Sequence, residues 1–409
     1  MNEAQITEQE DTRRNLKNVV VLAICQALYN SGRTLTFISA SLVAVAMIGA
    51  SPFITAPITM MLVGTAAGTL PSAYIMRIWG RKVGFVIGAV FGVVGSMVAA
   101  HSIATNDFIL LNVGIFLYGL YSGGAQQYRF AAADVAPEHL KAKSVSIVIA
   151  MGVVGAIIGP ETTLMTKTMF SGIAFQGTFW ALAVFCALTG LIILGIDIPK
   201  LSKEEYEDTG RPLSQIVVIP TFVVALISAL LGYMVMNFLM TVTPATMRFD
   251  QLTDNNIIRV IQWHVIGMFG PGFFTGALIN RFGVVRIISV GAVLLLSAIV
   301  VAFHGTSFTH FFVALFLIGV GWNFAFTGGT ILVTEVHTPS ERAKVQGMND
   351  FILFTGLAFS ALSSGTVYFF LGWQGVNLAT VPLIAIILIS ALWLRSIRKK
   401  QQTTGAAAE

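Results

Sequence analysis

Charge is scarce in this chain. Asp, Glu, Lys and Arg make up 11% of its 409 residues, against about 25% in ordinary soluble domains. With so few charges the net +5 implies no nucleic-acid surface. Cysteine is scarcer still. Cys25 and Cys186 both sit in apolar runs, which rules out a disulfide framework. No G-x-x-x-x-G-K-[ST] loop is present, so ATP hydrolysis by that route is excluded. No His-Glu-x-x-His and no His/Cys cluster with metal-ligand spacing occurs, and no catalytic constellation stands out. The expectation is a non-enzyme with no metal and no cofactor. Long polar connections are almost absent too; the only one is Leu201–Leu213, with Glu204, Glu205, Glu207 and Asp208.

Apolar sequence is abundant. Hydrophobic residues are 56% of the chain and mean hydropathy is +0.81. Runs of about 20 apolar residues recur, each long enough to cross a bilayer as a helix. Stretches such as Val19–Cys25 and Val381–Leu394 do not alternate polar with apolar, as barrel strands would. The spans are therefore helices, which satisfy their own backbone in lipid. Twelve are expected. Six run at about 18–45, 52–76, 83–104, 108–134, 143–166 and 173–198, and six at about 216–243, 256–280, 285–304, 308–334, 345–371 and 374–395. The N-terminus lacks the pattern of a cleaved signal, so the first span is expected to be retained.

The basic residues orient these spans. Placing both termini and the even-numbered connections in the cytoplasm collects 20 of the 24 Lys and Arg there. Only Arg33, Lys167, Arg248 and Arg259 fall elsewhere. Positive charge gathers on the cytoplasmic side. The expected order is a cytoplasmic tail (1–16), a six-helix bundle (17–198), a linker (199–213), a second bundle (214–397) and a cytoplasmic tail (398–409).

The chain also repeats itself. Gly80 matches Gly283 and Gly88-Ala89-Val90 matches Gly291-Ala292-Val293, 203 residues on; Gly119 matches Gly319, 200 on. Asp134 and Lys143 match Glu335 and Lys344, 201 on. Duplicated helical bundles in lipid are a common plan of secondary transporters. Within the repeat, Gly276, Asn280, Arg281 and Gly283 line one short loop, and Arg77, Gly80, Arg81 and Lys82 line its counterpart. A second repeated loop sets an acid nine residues before a base: Asp134 to Lys143, and Glu335 through Pro339 and Arg342 to Lys344.

These loops resemble the G-x-x-x-D-R-x-G-R-R loop and the short fourth-to-fifth loop of the major facilitator superfamily, and the resemblance covers about residues 17–397. In the first copy a base, Arg77, stands where the family has an acid; in the second, Asn280 does. The Arg129–Asp134 stretch (RFAAAD) resembles a bacterial subgroup of the family. The resemblance implies an all-α integral membrane protein of the inner membrane, with two pseudo-symmetric six-helix bundles rocking about a central site. The loop residues would then latch the cytoplasmic side. Asp134 and Glu335 are expected to pair with nearby bases, and Arg77 with Asp350.

By the same resemblance, the first, fourth, seventh and tenth spans line the cavity. That nominates Gln26, Tyr29, Asn30, Arg33, Tyr118, Tyr121, Gln126 and Gln127 in the first half. In the second half it nominates Asn237, Thr241, Trp322, Asn323 and Phe326. Amides and aromatics among apolar walls suit a small amphipathic organic ligand. Charge inside a membrane is costly and therefore informative. Arg33 lies about 24 Å along its helix from Lys17, and Glu161 about 27 Å from Lys143. The two form either a structural ion pair or a binding or proton site. Glu161, Asp350 and the readily titrated His264 are the candidates for carrying a proton. Gly152, Gly155, Gly159 and Pro160 partly resemble the motif of drug–proton antiporters. The expectation is a proton-coupled secondary carrier acting as a monomer, with export slightly favoured. Uptake of a metabolite, siderophore or vitamin stays open, as does a non-transporting sensor or assembly partner.

Overall fold

The computed structural model describes residues 3–136, 141–170, 174–198, 210–338 and 341–406. Within these, the side chains of 3–13, 77, 133–134, 141–143, 145–146, 342–343 and 402–406 are not described. The chain is all-helical among the described residues and divides into two compact units, Met1–Ser202 and Lys203–Glu409.

The first unit holds α1 (Glu3–Ile48), α2 (Ala56–Trp79), α3 (Arg81–Thr105), α4 (Phe108–Ala125), α5 (Tyr128–Val135), α6 (Lys141–Thr166) and α7 (Gln176–Ile193). The second holds α8 (Leu213–Ile216), α9 (Pro220–Phe249), α10 (Asp254–Phe269), α11 (Gly272–Phe282), α12 (Val284–Phe303), α13 (Phe308–Thr334) and α14 (Arg342–Ala406). Among the described residues ten helices are long and apolar enough to cross a bilayer, and the bent pair α10–α11 makes an eleventh span. The last, α14, reverses at Gly372, whose φ of 65° and ψ of −169° suit a residue without Cβ. Counting its two arms gives the twelve spans that the hydropathy predicts.

Several boundaries differ from the sequence reading. The eighth span is not one helix: it parts at Gly270-Pro271, where the proline has no N–H to offer the preceding turn, and the axis bends by 40°. The fourth span breaks at Gln126–Gln127 just after the flexible pair Gly123-Gly124. The seventh starts only at Pro220, whose fixed φ suits a helix's first turn, leaving α8 as a separate short helix. The tight loops predicted at Gly80 and Gly283 are present in both copies, at φ 91° and 86°.

Apolar side chains gain little by associating in lipid, so close backbone approach holds such helices together, and small residues permit it. In the first unit α4 lies directly on α2: a methyl on Gly119 would lie 2.9 Å from Gly64 Cα. In the second, α13 lies on α10 in the same way. A methyl on Gly319 would lie 2.5 Å from the His264 carbonyl oxygen and 3.0 Å from the Gly267 carbonyl carbon. The repeat read from the sequence is thus a repeat of contacts. Helix α6 closes on α1 through Gly155 and Gly159, where added methyls would lie 2.5 Å from Asn30 Cβ and Ser31 O.

Two polar clasps secure the chain beside the linker. In the first unit Asn18 grips the backbone of Asp197, donating from Nδ2 to its carbonyl (2.5 Å) and accepting its N–H (3.0 Å). In the second, Glu341 accepts the N–H of Arg211 (2.8 Å), its Nε (2.7 Å) and its Nη2 (2.8 Å), and also the Thr338 N–H (3.0 Å). Residues 199–209, most of the expected linker, lie outside the described residues.

Candidate functional site

In the first unit the nominated residues gather where α1 meets α4. Tyr29, Asn30, Tyr118 and Tyr121 are buried, while Gln26, Arg33 and Gln126 are half-buried. The Gln126 amide donates from Nε2 to Tyr29 Oη at 2.9 Å. The Tyr29 and Tyr121 rings meet edge-on at 5.9 Å, and Tyr118 and Tyr121 at 5.8 Å. Gln126 stands at the turn that follows α4. Tyr118 Oη has no hydrogen-bond partner. It sits where a side chain at Gly32 would be, 3.1 Å from an added methyl. A buried hydroxyl without a partner is costly, so this cluster keeps a donor in reserve.

Arg33 lies over the Phe37 ring at 5.6 Å, a favourable cation–π geometry. Gly159 touches Ser31 and Thr34 of α1, which brings Glu161, two residues on, level with Arg33. The depth match read from the sequence therefore joins two helices that pack together. Both side chains are half-buried.

In the second unit the nominated residues divide. Trp322 and Phe326 of α13 stack at 4.9 Å with 13° between their planes. Tyr233 of α9 packs against both, at 5.1 and 5.4 Å, and Phe269 of α10 meets Trp322 at 6.0 Å. Trp322 is 4% exposed, and its indole Nε1 has no acceptor. Asn237 and Asn323 are engaged differently. Asn237 Nδ2 donates to the Leu357 carbonyl of α14 at 3.1 Å. Asn323 Nδ2 donates to the Met268 carbonyl at 2.7 Å, while its Oδ1 accepts from Thr275 Oγ1 at 2.7 Å. Both amides tie helix to helix.

His264 is fully buried, and its ring ties α10 to α13: Nδ1 lies 2.6 Å from the Leu315 carbonyl oxygen. A carbonyl only accepts, so Nδ1 carries a proton, and Nε2 has no partner among the described residues. Asp350 is half-buried and accepts from Asn349 Nδ2 at 3.3 Å.

Among the loop residues, Gly80 and Arg81 are half-buried, while Asn280, Arg281 and Gly283 are exposed. The side chains of Arg77, Asp134, Lys143 and Arg342 lie outside the described residues, and with them the expected Arg77–Asp350 and Asp134 pairs. Glu335 does pair with a base. It meets Arg398 on the last arm of α14, at 2.5 Å, and both side chains are more than a third exposed. Lys344 Nζ donates to the Arg211 carbonyl oxygen.

Three contributors escaped the sequence reading. Tyr233 stands one helical turn before Asn237, and that spacing marks it as sharing a face. Phe269 stands directly before Gly270-Pro271, the dipeptide that breaks the span. Glu341 carried no signal beyond its place after Pro339, because its partner Arg211 lies 130 residues away in sequence. Arg211 holds the Glu341 carboxyl well below the ordinary carboxylate range, with the Thr338 N–H acting in the same direction. The same contact raises the Arg211 guanidinium.

Residues 22–270 and 263–409 match the profile of the Major Facilitator Superfamily. The chain belongs to this family, and it is a multi-pass membrane transporter rather than an enzyme. It is 36% identical over 395 residues to the riboflavin transporter RfnT of Brucella anthropi, covering 96% of this chain and 98% of that one. It is 28% identical to the MFS-type transporter YdeG of Bacillus subtilis, over 90% of this chain and 91% of the other. Two solved structures share its fold at low identity. The nucleoside transporter NupG superposes with TM-score 0.71 at 14% identity, covering 92% of this chain and 99% of that one. A D-xylose–proton symporter gives 0.69 at 12%, covering 91% and 97%.

Proposed function

We propose that this chain carries riboflavin, or a closely related flat heteroaromatic vitamin, inward across the cytoplasmic membrane as a monomer driven by a proton gradient. The observation that carries the reading is the 36% identity to a riboflavin transporter over nearly the whole of both chains. The chemistry of the second unit supports it. Tyr233, Phe269, Trp322 and Phe326 bring four aromatic rings within 6.0 Å of one another in successive pairs. The unpartnered indole N–H of Trp322 can donate to a ring carbonyl. Such rings favour a flat conjugated ligand by offset stacking.

Inward transport fits a vitamin, which a cell gains by importing. The antiporter-like glycines have another use here, since Gly155 and Gly159 seat α6 on α1. For coupling we favour Glu161. It lies level with Arg33, whereas His264 is committed to holding α10 on α13. Cytoplasmic termini follow from the distribution of bases.

Thermal stability of the purified protein tests the reading. A ligand that binds only the folded state stabilises it by about 2.7 kcal/mol at one hundred times its Kd. Riboflavin should raise the melting temperature, and Trp322→Ala should abolish that rise while remaining folded. Proteoliposomes should then accumulate riboflavin when their exterior is acidified. Stabilisation by a siderophore, sugar, organic acid or cationic drug, with none by riboflavin, would overturn it.

A further inference from the structure

Pro71 and Pro271 occupy the same place in the two repeats, 200 residues apart, yet the helices that hold them differ. Helix α2 runs through Pro71 without a break, whereas α10 and α11 part at Gly270–Pro271 with a 40° bend. The proline alone does not decide the bend, so its surroundings must.

One difference is local, Gly270 where α2 has Leu70; a second lies on the facing helix. Opposite Pro71, α4 presents Gly123, and a methyl there would lie 2.7 Å from Gly68 C, Thr65 O and Thr69 N. No side chain fits, and α2 continues through Pro71 against α4. The position 200 residues on is Asn323. Its side chain bonds to both sides of the bend. Nδ2 holds the Met268 carbonyl before the break, and Oδ1 accepts the Thr275 hydroxyl after it. Thr275 Oγ1 also lies 2.8 Å from the Pro271 carbonyl oxygen. Its single proton can serve Asn323 or the helix, one at a time. A hydroxyl poised between two acceptors suits a joint with two settings.

The flanking residues give the joint its inputs and outputs. Phe269, the last residue of α10, touches the Trp322 ring, and Trp322 precedes Asn323. Beyond the joint, α11 carries the loop Asn280–Gly283. We infer that Asn323 and Thr275 form a positioning joint. They set the pitch of α11, and they link what happens at the Trp322–Phe269 rings to the exposed loop that α11 carries. The link to the rings rests on the proposed riboflavin reading; the joint itself does not.

A cysteine reporter tests it. Cys25 and Cys186 are both buried, while position 280 is exposed, so a maleimide should label Asn280→Cys selectively. The intact protein carrying this reporter, once its melting temperature matches wild type, is labelled without ligand. Thr275→Val keeps the shape and removes the hydroxyl, Thr275→Ser restores it, and Asn323→Ala removes the amide. Losing one net hydrogen bond from a two-state joint should shift the labelling rate about threefold to tenfold. Thr275→Val and Asn323→Ala should therefore shift, while Thr275→Ser stays at the reporter's own rate. Unchanged rates in Thr275→Val and Asn323→Ala overturn the joint, even where their melting temperatures fall. Added riboflavin should then change labelling in the reporter and not in Thr275→Val. An equal response in both overturns the link to the rings. No riboflavin binding by wild type overturns the substrate reading and leaves the ligand-free result to judge the joint.

Discussion

Replacing Gly319 by alanine should lower stability, although alanine is the better helix former. Two opposing terms set the outcome. Alanine in a helix interior gains about 1 kcal/mol over glycine. Against this, the new methyl would lie 2.5 Å from His264 O, 2.9 Å from Met268 N and 3.0 Å from Gly267 C. These are backbone atoms of α10, so no rotamer change relieves the clash and the helices must separate. Overpacking costs about 1–3 kcal/mol, and contacts this short with backbone place it near the upper end. The net loss is about 1–2 kcal/mol, or roughly 2–8 °C in melting temperature for a unit of this size. Gly119→Ala should behave alike, because it meets Gly64 Cα at 2.9 Å in the matching place of the first unit. Gly276→Ala and Gly347→Ala are the controls. Nothing lies within 4 Å of either new methyl, so only the helix gain remains and stability should hold or rise. Thermal unfolding in one detergent ranks the four. If Gly319→Ala melts no lower than Gly276→Ala, the claim that these glycines set the helix spacing is wrong.

The Arg211–Glu341 clasp makes a pH-dependent prediction. A carboxyl depressed in the folded state stabilises above its ordinary value near 4.5, and that contribution is lost as pH falls through the lower folded value. Glu341→Gln should therefore melt below wild type at pH 7, with the gap narrowing as pH drops below about 4.5; a gap constant down to pH 3 would refute the ionic account. The Glu335–Arg398 pair, by contrast, is exposed on both sides. Glu335→Ala should cost no more than about 0.5 kcal/mol in a denaturation midpoint at moderate salt, and a larger loss would show a role beyond a surface pair.

The sequence by itself determined what depends on composition and period. Apolar runs of bilayer length fix the number of spans, because lipid offers no partners for an open backbone. Gly80 and Gly283 mark tight loops, since a positive φ there is a local property of the chain. Gly119 and Gly319 mark the repeat, for a small residue is needed wherever two backbones meet. The tertiary structure alone decided the rest. The family resemblance nominates Asn237 and Asn323 for the cavity, and an amide in an apolar span needs a partner. Only the packed helices show that Leu357 O, Met268 O and Thr275 Oγ1 supply it. His264 stands out in an apolar span, but only the packed helices show the Leu315 carbonyl oxygen 2.6 Å from its ring. Tyr233 and Phe269 joined the site through rings on other helices, and Glu341 found Arg211 across 130 residues. Two equivalent prolines sit one in a continuous helix and one at a bend, and the bend is where Asn323 meets the helix on both sides. Such pairings lie between helices far apart in the chain, where hydrophobic period says which face is apolar but not which atom it meets.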